Sequence, residues 1–483
     1  MIFTASGRFR WAFCQLEALR HCLAPRVRQM LKELPETLDE TYERILRDIN
    51  KANRDLALRL LQCLTVAVRP LRIAELAEVL AVDFRTASFG EMLKLNTDWR
   101  WEDQQEAVLS TCSSLISVVD ENDGQVVQFS HFSVKEFLTS SRISGSSSDV
   151  SRFYVLLEPA HTVLAKACLV VLLRLDELVD EHSIKFKLPL ARYAAKHWVD
   201  HARFENVSSH IREEMEDLFD LDKPHFSAWL QVHNIDTEPS YSSVLYYFAD
   251  FSLGSSTLAT PLYYAALCGF HDLTEQLIIK HPQLVNAAGG YYVSPLAAAL
   301  NGGYLKTAQL LYERGADVDV QGHHNRTPLD AASCSGQLEI VRWLLCRSAN
   351  PNVQDKPYGW IALHSAAYYG HAEVSRLLLK YQADSNTQNR DGRSPLRIAS
   401  DQGHVNVARL LLEHGASVNA QDNNCNTPLL GAAKRGRLEV VRLLVEHGAN
   451  IDTRNKKGRT AFQVASERGY HDIVKLLLNH DSK

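Results

Sequence analysis

The chain has 483 residues, 46% of them apolar and 23% charged, with a formal net charge of −5. That length exceeds one hydrophobic core and implies two or three domains, and the near balance of charge excludes a partner chosen by bulk electrostatics, such as nucleic acid or an anionic membrane surface. No uncharged apolar run approaches the roughly 18 residues of a membrane span, and Met1-Ile2-Phe3 leading into Arg8, Arg10 and Trp11 lacks the layout of a signal peptide. A cytoplasmic setting is expected, with the nucleus as the other compartment. The nine cysteines are scattered without a Cys-x-x-Cys pair, so reduced thiols are expected and a zinc knuckle is not.

In chain order, residues 8–48 carry apolar positions at helical spacing, with breaks at Pro25 and Pro35. Amphipathic segments follow at Asp55–Val66 and Ile73–Leu80, and a further helix is expected around Gln105–Cys112. The period then changes. Leu115–Val119 and Val126–Phe129 are β-prone runs around Asp120-Glu121-Asn122-Asp123-Gly124, a cluster suited to a hairpin turn. Helices followed by a hairpin suggest a winged-helix topology, with a helix leaving the wing at Ser130, a serine where an N-cap belongs. The serine-rich run 140–151 reads as an exposed, mobile connection. Helical patterns resume at Ala160–Leu175, Leu188–Ala202 and His210–Leu218. The expected division is a helical segment over 1–50, a winged-helix-like domain over 51–140, a helical domain over 152–220, a linker or degenerate repeat over 221–259, and a repeat array over 260–483. The fold class is mainly α, ending in an α-solenoid.

The array declares itself by period. Thr260-Pro261-Leu262 returns as Ser294-Pro295-Leu296, Thr327-Pro328-Leu329, Ile361-Ala362-Leu363, Ser394-Pro395-Leu396, Thr427-Pro428-Leu429 and Thr460-Ala461-Phe462, at intervals of 33 or 34 residues. One-residue insertions precede Ser294 and Ile361. Within the unit 427–459, proline opens a first helix, Ala432 and Ala433 allow close helix approach, Gly436 ends it, and Leu438–Val445 forms a second helix before His447-Gly448-Ala449. With Ala366-Ala367-Tyr368-Tyr369-Gly370, Val407-Ala408-Arg409-Leu410-Leu411 and Gly415-Ala416-Ser417-Val418-Asn419, these motifs resemble the ankyrin repeat over about 224 residues. The family's structural histidine stands only at His364. Tyr263, Ala297, Asp330, Arg397, Leu430 and Gln463 replace it, which implies a less regular or less stable array.

The resemblance implies a protein-binding surface made of hairpin tips and the exposed side of each first helix. Carried over by position, it includes His323, His324, Arg326, Tyr358, Trp360, Tyr368, Tyr369, Arg390, Arg393, Asp401, Asn423, Lys434, Arg435, Lys456 and Lys457. Rings beside a polar, basic rim are the mix that binding hot spots favour. From Thr427 to Lys483 there are eleven Lys/Arg against six Asp/Glu, so this end is locally basic.

Catalytic constellations are missing from the sequence. No Gly-Lys dipeptide occurs, which removes the phosphate-cradling Gly-x-x-x-x-Gly-Lys-Ser/Thr loop, and neither Gly-x-Ser-x-Gly nor His-Glu-x-x-His is present. Neighbouring His323 and His324 point apart and have no third ligand nearby, so no metal and no cofactor is expected. Glu75, Glu78, Asp83, Glu102, Asp103 and Glu106 on the winged-helix segments would repel phosphate, so nucleic acid is not an expected partner.

Gly7–Leu16, Leu34–Leu46, Arg69-Pro70-Leu71, Phe129–Leu138 and Tyr193-Ala194-Ala195-Lys196-His197-Trp198 resemble, in that order, the region after the nucleotide-binding domain of fungal NACHT–ankyrin signal-transduction ATPases. In that family a winged-helix histidine touches the phosphate of bound ADP, and His131 occupies the matching motif. With the phosphate loop absent, residues 1–50 read as a helical remnant after a missing NACHT domain, the chain as a truncated member, and His131 as structural unless such a domain is present. The expected function is a non-enzymatic interaction module or scaffold. The alternative is the regulatory and sensor tail of a NACHT-type switch whose ATPase core lies elsewhere.

Overall fold

The computed structural model describes residues 37–84, 93–96, 108, 112, 114–121, 124–175, 187–233, 259–287, 289–290, 292, 294–321, 327–356 and 358–480. The chain forms two compact units, residues 1–241 and 242–483.

In the first unit, α1 (Leu38–Asp48) starts at a capping box in which Thr37 and Glu40 satisfy each other's backbone N–H groups. Then come α2 (Arg54–Val66), β1 (Leu71–Arg72), α3 (Ile73–Leu80), a short ribbon of β2 (Val82–Asp83) and β3 (Lys94–Leu95), and the hairpin of β4 (Ile116–Glu121) and β5 (Gly124–Phe129). β5 lies between β1 and β4, antiparallel to both, with Val127 facing Leu71 on one side and Val118 on the other. Helices with a small sheet whose hairpin follows them make the winged-helix arrangement. Of the helix expected at 105–112, Val108 and Cys112 are described, both helical and buried; the rest lies outside the described residues, as do 1–36.

Three expectations are corrected here. The helix α4 (Phe132–Leu138) is capped by His131 rather than Ser130: the imidazole Nδ1 accepts from Ser133 N–H. The run 140–151 is tied down, with short helices α5 (Ser141–Ser144) and α6 (Ser148–Ser151), buried Ile143 and Val150, and contacts from Arg142 to Asp39 (2.7 Å), Ser146 to Glu43 (2.7 Å) and Asp149 to Arg54 (2.6 Å). The first two contacts tie α1, and the third α2, to this run, and Tyr42 joins α1 to α4, its hydroxyl 2.8 Å from Ser133 Oγ and its ring packed on Phe137. Glu75 and Glu78 are buried rather than groove-facing. Glu75 takes two bonds from Arg69 (2.6 and 2.8 Å) and one from Arg72 N–H, and Glu78 accepts from Leu190 N–H. Their charges are spent inside the fold.

The sixteen-residue α7 (Leu157–Leu172) packs on α2 and on α8 (Ala191–Ala202). Short helices α9 (Val207–His210) and α10 (Arg212–Leu218) lead to α11 (His225–Val232). Residues 221–233, expected within a linker or degenerate repeat, instead belong to the first unit's helical packing, because Trp229 is fully buried against Trp198, Phe219 and Phe226, and its indole N–H donates to Ala195 O at 3.0 Å. Residues 234–258 lie outside the described residues. Val68 N–H donates to Tyr193 Oη, and between α7 and α8 that hydroxyl is hydrogen-bonded to His201 Nε2 (2.8 Å) and His201 Nδ1 to His161 Nδ1 (2.9 Å). With both nitrogens committed and the ring fully buried, His201 is neutral, its pKa pushed down to about 3 by desolvation.

The second unit is seven helix pairs: α12 (Pro261–Cys268) with α13 (His271–Lys280), α14 (Pro295–Asn301) with α15 (Leu305–Glu313), α16 (Pro328–Cys334) with α17 (Leu338–Leu345), α18 (Ala362–Tyr369) with α19 (Ala372–Lys380), α20 (Pro395–Gln402) with α21 (Val405–Glu413), α22 (Pro428–Arg435) with α23 (Leu438–Glu446), and α24 (Ala461–Glu467) with α25 (His471–His480). First helices stack on first helices and second on second, so each pair gains a core from its neighbours. Six first helices begin with a Ser or Thr whose hydroxyl accepts the N–H three residues on. In the fourth unit Ile361 stands there instead, and His364 reaches back to accept its N–H at 3.2 Å.

The array does not become irregular where the histidine is replaced, because other side chains tie the units together. His364 Nε2 donates to Arg393 O at 3.1 Å in the next unit. Tyr263 Oη accepts from Tyr292 N–H at 3.1 Å, and Asp330 accepts from Ser365 Oγ at 2.5 Å. Arg397, 4% exposed, sits between Asp401 and Asp422, 3.6 Å from the latter. An arginine is longer than a histidine, and the next unit makes room with Gly431, where a Cβ would strike Arg397 and Asp401.

Candidate partner-binding surface

The hairpin tips are built by one repeated device. Asn389, Asp422 and Asn455 each accept, through a side-chain oxygen, the N–H groups two and four residues on. In the fourth unit Asp355 does the same for Tyr358 and Trp360, three and five residues on. The extra residue is the insertion noted before Ile361, and Gly359 at φ 68° takes the left-handed conformation that Gly392, Cys425 and Gly458 take in the shorter tips. The tips are then joined edge to edge: Arg390 N–H donates to Tyr358 O (2.8 Å), Asn423 N–H to Asp391 O (2.9 Å) and Lys456 N–H to Asn424 O (3.0 Å).

On the enlarged tip, Tyr358 is 46% exposed and its ring lies 6.5 Å from that of Trp360. Trp360 is half-buried, 6.0 Å from His364 and 5.7 Å from Tyr368, which meets Tyr369 edge to face at 4.9 Å. Tip and helix thus share one run of rings, brought together from positions ten residues apart in sequence. Arg390 adjoins Tyr358 through its N–H, and farther along the stack Asn423, Lys434, Arg435, Lys456 and Lys457 are, like Arg390, exposed. Arg393 is half-buried and 3.8 Å from Asp391. Asp401, expected on the binding face, is instead engaged by Arg397, its side chain 13% exposed. His323, His324 and Arg326 lie outside the described residues.

A second cluster, unannounced by the repeat pattern, lies on the second helices. Arg347 stacks 3.8 Å above Trp343 and 5.2 Å from Tyr312, with a hydrogen bond to Gln309. The guanidinium already fills the space between the rings. Tyr312 and Trp343 stand on neighbouring second helices but two positions out of repeat register, so the period does not announce the pair.

The histidines fill structural positions. His364 is buried and its pKa is lowered to about 4, chiefly by desolvation, and His131 Nδ1 is engaged by Ser133 at 2.6 Å to Oγ. Among the described residues, no group of three or more His, Cys, Asp or Glu could hold a metal ion, and no helix is long and apolar enough to cross a membrane.

Comparison with known proteins agrees with this architecture. Residues 262–355, 329–422 and 419–483 match the family model of ankyrin repeats, and residues 43–151 match the winged helix domain of GPI inositol-deacylase. The chain is 32% identical over 288 residues to azaphilone pigments biosynthesis cluster protein L of Monascus ruber, covering 57% of this chain and 58% of that protein. It is 41% identical over 46 residues to the inhibitor of Bruton tyrosine kinase of Xenopus laevis, covering 10% of this chain and 3% of that protein. The chain therefore spans little more than half of the first relative and a small part of the second. Its second unit is an array of ankyrin repeats, and its first carries a winged-helix domain.

Proposed function

We propose that this chain is a non-enzymatic interaction module that binds a protein partner through the tips and first helices of its ankyrin array, centred on the fourth unit. The observation that carries the reading is the run of rings from Tyr358 through Trp360 to Tyr368 and Tyr369 on a tip one residue longer than its neighbours. Rings bury a large area at a small cost in side-chain entropy, and a backbone ladder holds this tip to the next, so the surface is ordered before a partner arrives. Trp360→Ala and Tyr368→Ala are each expected to weaken partner binding by tenfold or more, about 1.4 kcal/mol, in calorimetry with partners first captured from cells. Full retention of every partner by both variants, with helicity unchanged, would sink the reading.

A second reading is favoured by the winged-helix match over 43–151: the chain acts as the regulatory and sensor part of a NACHT-type nucleotide-dependent switch, with the nucleotide site supplied from outside the chain. On that reading the 483-residue chain binds neither ATP nor ADP by itself, and calorimetry with each nucleotide distinguishes it from a self-contained switch.

A further inference from the structure

Charge is segregated across the last four units. On the second helices of units four and six, an acid pairs with a base one turn on: Glu373 with Arg376 at 3.5 Å, Glu439 with Arg442 at 3.8 Å. On the tips and first helices the acids are already taken, Asp401 and Asp422 by Arg397, Asp391 by Arg393 and Glu467 by Arg459. Arg390, Lys434, Arg435, Lys456, Lys457 and Arg468 are exposed there, and among the described residues none of the six forms an ion pair with a carboxylate.

These bases continue the rows that begin with the rings. Tyr369 lies eight residues after the helix-start position Ile361; Gln402, Arg435 and Arg468 lie eight after Ser394, Thr427 and Thr460. Tyr368 and Lys434 share the position before. At the tips, the backbone ladder runs from Tyr358 past Arg390 and Asn423 to Lys456. Stacked helices lie about 8–10 Å apart, so Tyr369 and the bases of units six and seven are separated by roughly 16–30 Å, about five to nine residues of extended chain at about 3.3 Å each.

We infer that the segment bound by this surface is an extended acidic peptide, with an aromatic or aliphatic anchor seated on the rings of unit four and carboxylates on the bases of units six and seven. The inference rests on the protein-binding reading and supplies the chemistry of the bound chain. Single-stranded nucleic acid would share the charge, but it is bound by rings spaced along a groove so that successive bases stack on them. Here the rings are confined to one unit and meet each other at interplanar angles of 53–80°, a wall for one side chain rather than a row of platforms.

The test is selection of a random-peptide phage library on the full chain, followed by fluorescence anisotropy with a synthetic labelled copy of the enriched peptide. Enrichment of an aromatic or aliphatic residue separated by about five to nine positions from a run of Asp or Glu supports the inference. So does loss of binding by about tenfold or more in Lys434→Glu/Arg435→Glu/Arg468→Glu, with Trp360→Ala also weakening it. Neutral or basic peptides that need Trp360 but ignore the charge reversals would overturn the acidic partner and leave the protein-binding reading intact. Peptides indifferent to Trp360, or no enrichment at all, would overturn both. A labelled poly-deoxythymidine strand that binds more tightly than any peptide and is released by the charge reversals would replace the peptide with nucleic acid.

Discussion

Gly431 is the sharpest test of how this array accommodates its substituted histidine. Glycine inside a helix is ordinarily worth about 0.8–1 kcal/mol less than alanine, so Gly431→Ala on α22 should stabilise if helix propensity decided the outcome. The structure reverses the sign. A Cβ at 431 would lie 2.5 Å from Asp401 Oδ1 and from Arg397 Cζ, about an ångström inside ordinary contact. Arg397 cannot yield freely, because it is 4% exposed and placed between two carboxylates, of which Asp422 is itself buried. Removing a partner from a buried pair costs about 3–5 kcal/mol. Partial displacement, less the propensity gain, leaves a net destabilisation of about 2 kcal/mol. The assay is urea unfolding of the full chain followed by circular dichroism, with hydrogen exchange of α22 to localise the effect within a stack that unfolds by units. In an Arg397→Ala background the same substitution should stabilise by about 0.5–1 kcal/mol, giving a coupling near 3 kcal/mol. Stabilisation by Gly431→Ala in the wild-type chain, or an equal effect in both backgrounds, would refute the steric account.

Protonation supplies a second prediction. His201 is held neutral by burial, with a folded pKa near 3 against about 6.5 unfolded, so the unfolded state binds more protons below pH 6.5. Its contribution is fully present above that pH and lost on acidification, by about 2 kcal/mol at pH 5; His201→Gln should flatten the pH dependence of urea unfolding by that amount, and an unchanged slope would contradict it. His364 is expected to act in the same direction within the array, over pH 6.5 down to its folded value of about 4. Glu75→Ala should destabilise the first unit by about 1–2 kcal/mol, read by thermal unfolding, because it removes the carboxylate partner of the half-exposed Arg69 and this acceptor of the Arg72 N–H. A change under 0.5 kcal/mol would mean that the pair is not maintained in solution.

The units were legible in sequence because a stacked solenoid repeats its local requirements: a hydroxyl cap at six of the seven first helices, small residues where helices touch, and a glycine after most helices. The insertion before Ile361 was equally visible, since periods can be counted. The ring cluster was proposed by position, and the positions did converge, because tip and helix face are linked by a short loop of fixed geometry. Asp401 pairs with Arg397 at the i,i+4 spacing of a helix, which the sequence shows, but the burial of that pair depends on Asp422 of the neighbouring unit, which it does not. Likewise Glu75 and Glu78 read as surface charges, since helical periodicity marks the apolar face but not a carboxylate drawn inward by Arg69 or by the backbone of Leu190.

The sequence by itself therefore determined the period of the units, the start of each first helix and where one tip is enlarged, all of which are set by residues within about 33 positions of each other. Tertiary structure decided which charges remain available to a partner. A carboxylate is neutralised by whichever base lies nearest in space, and for Asp422 that base, Arg397, belongs to the neighbouring unit.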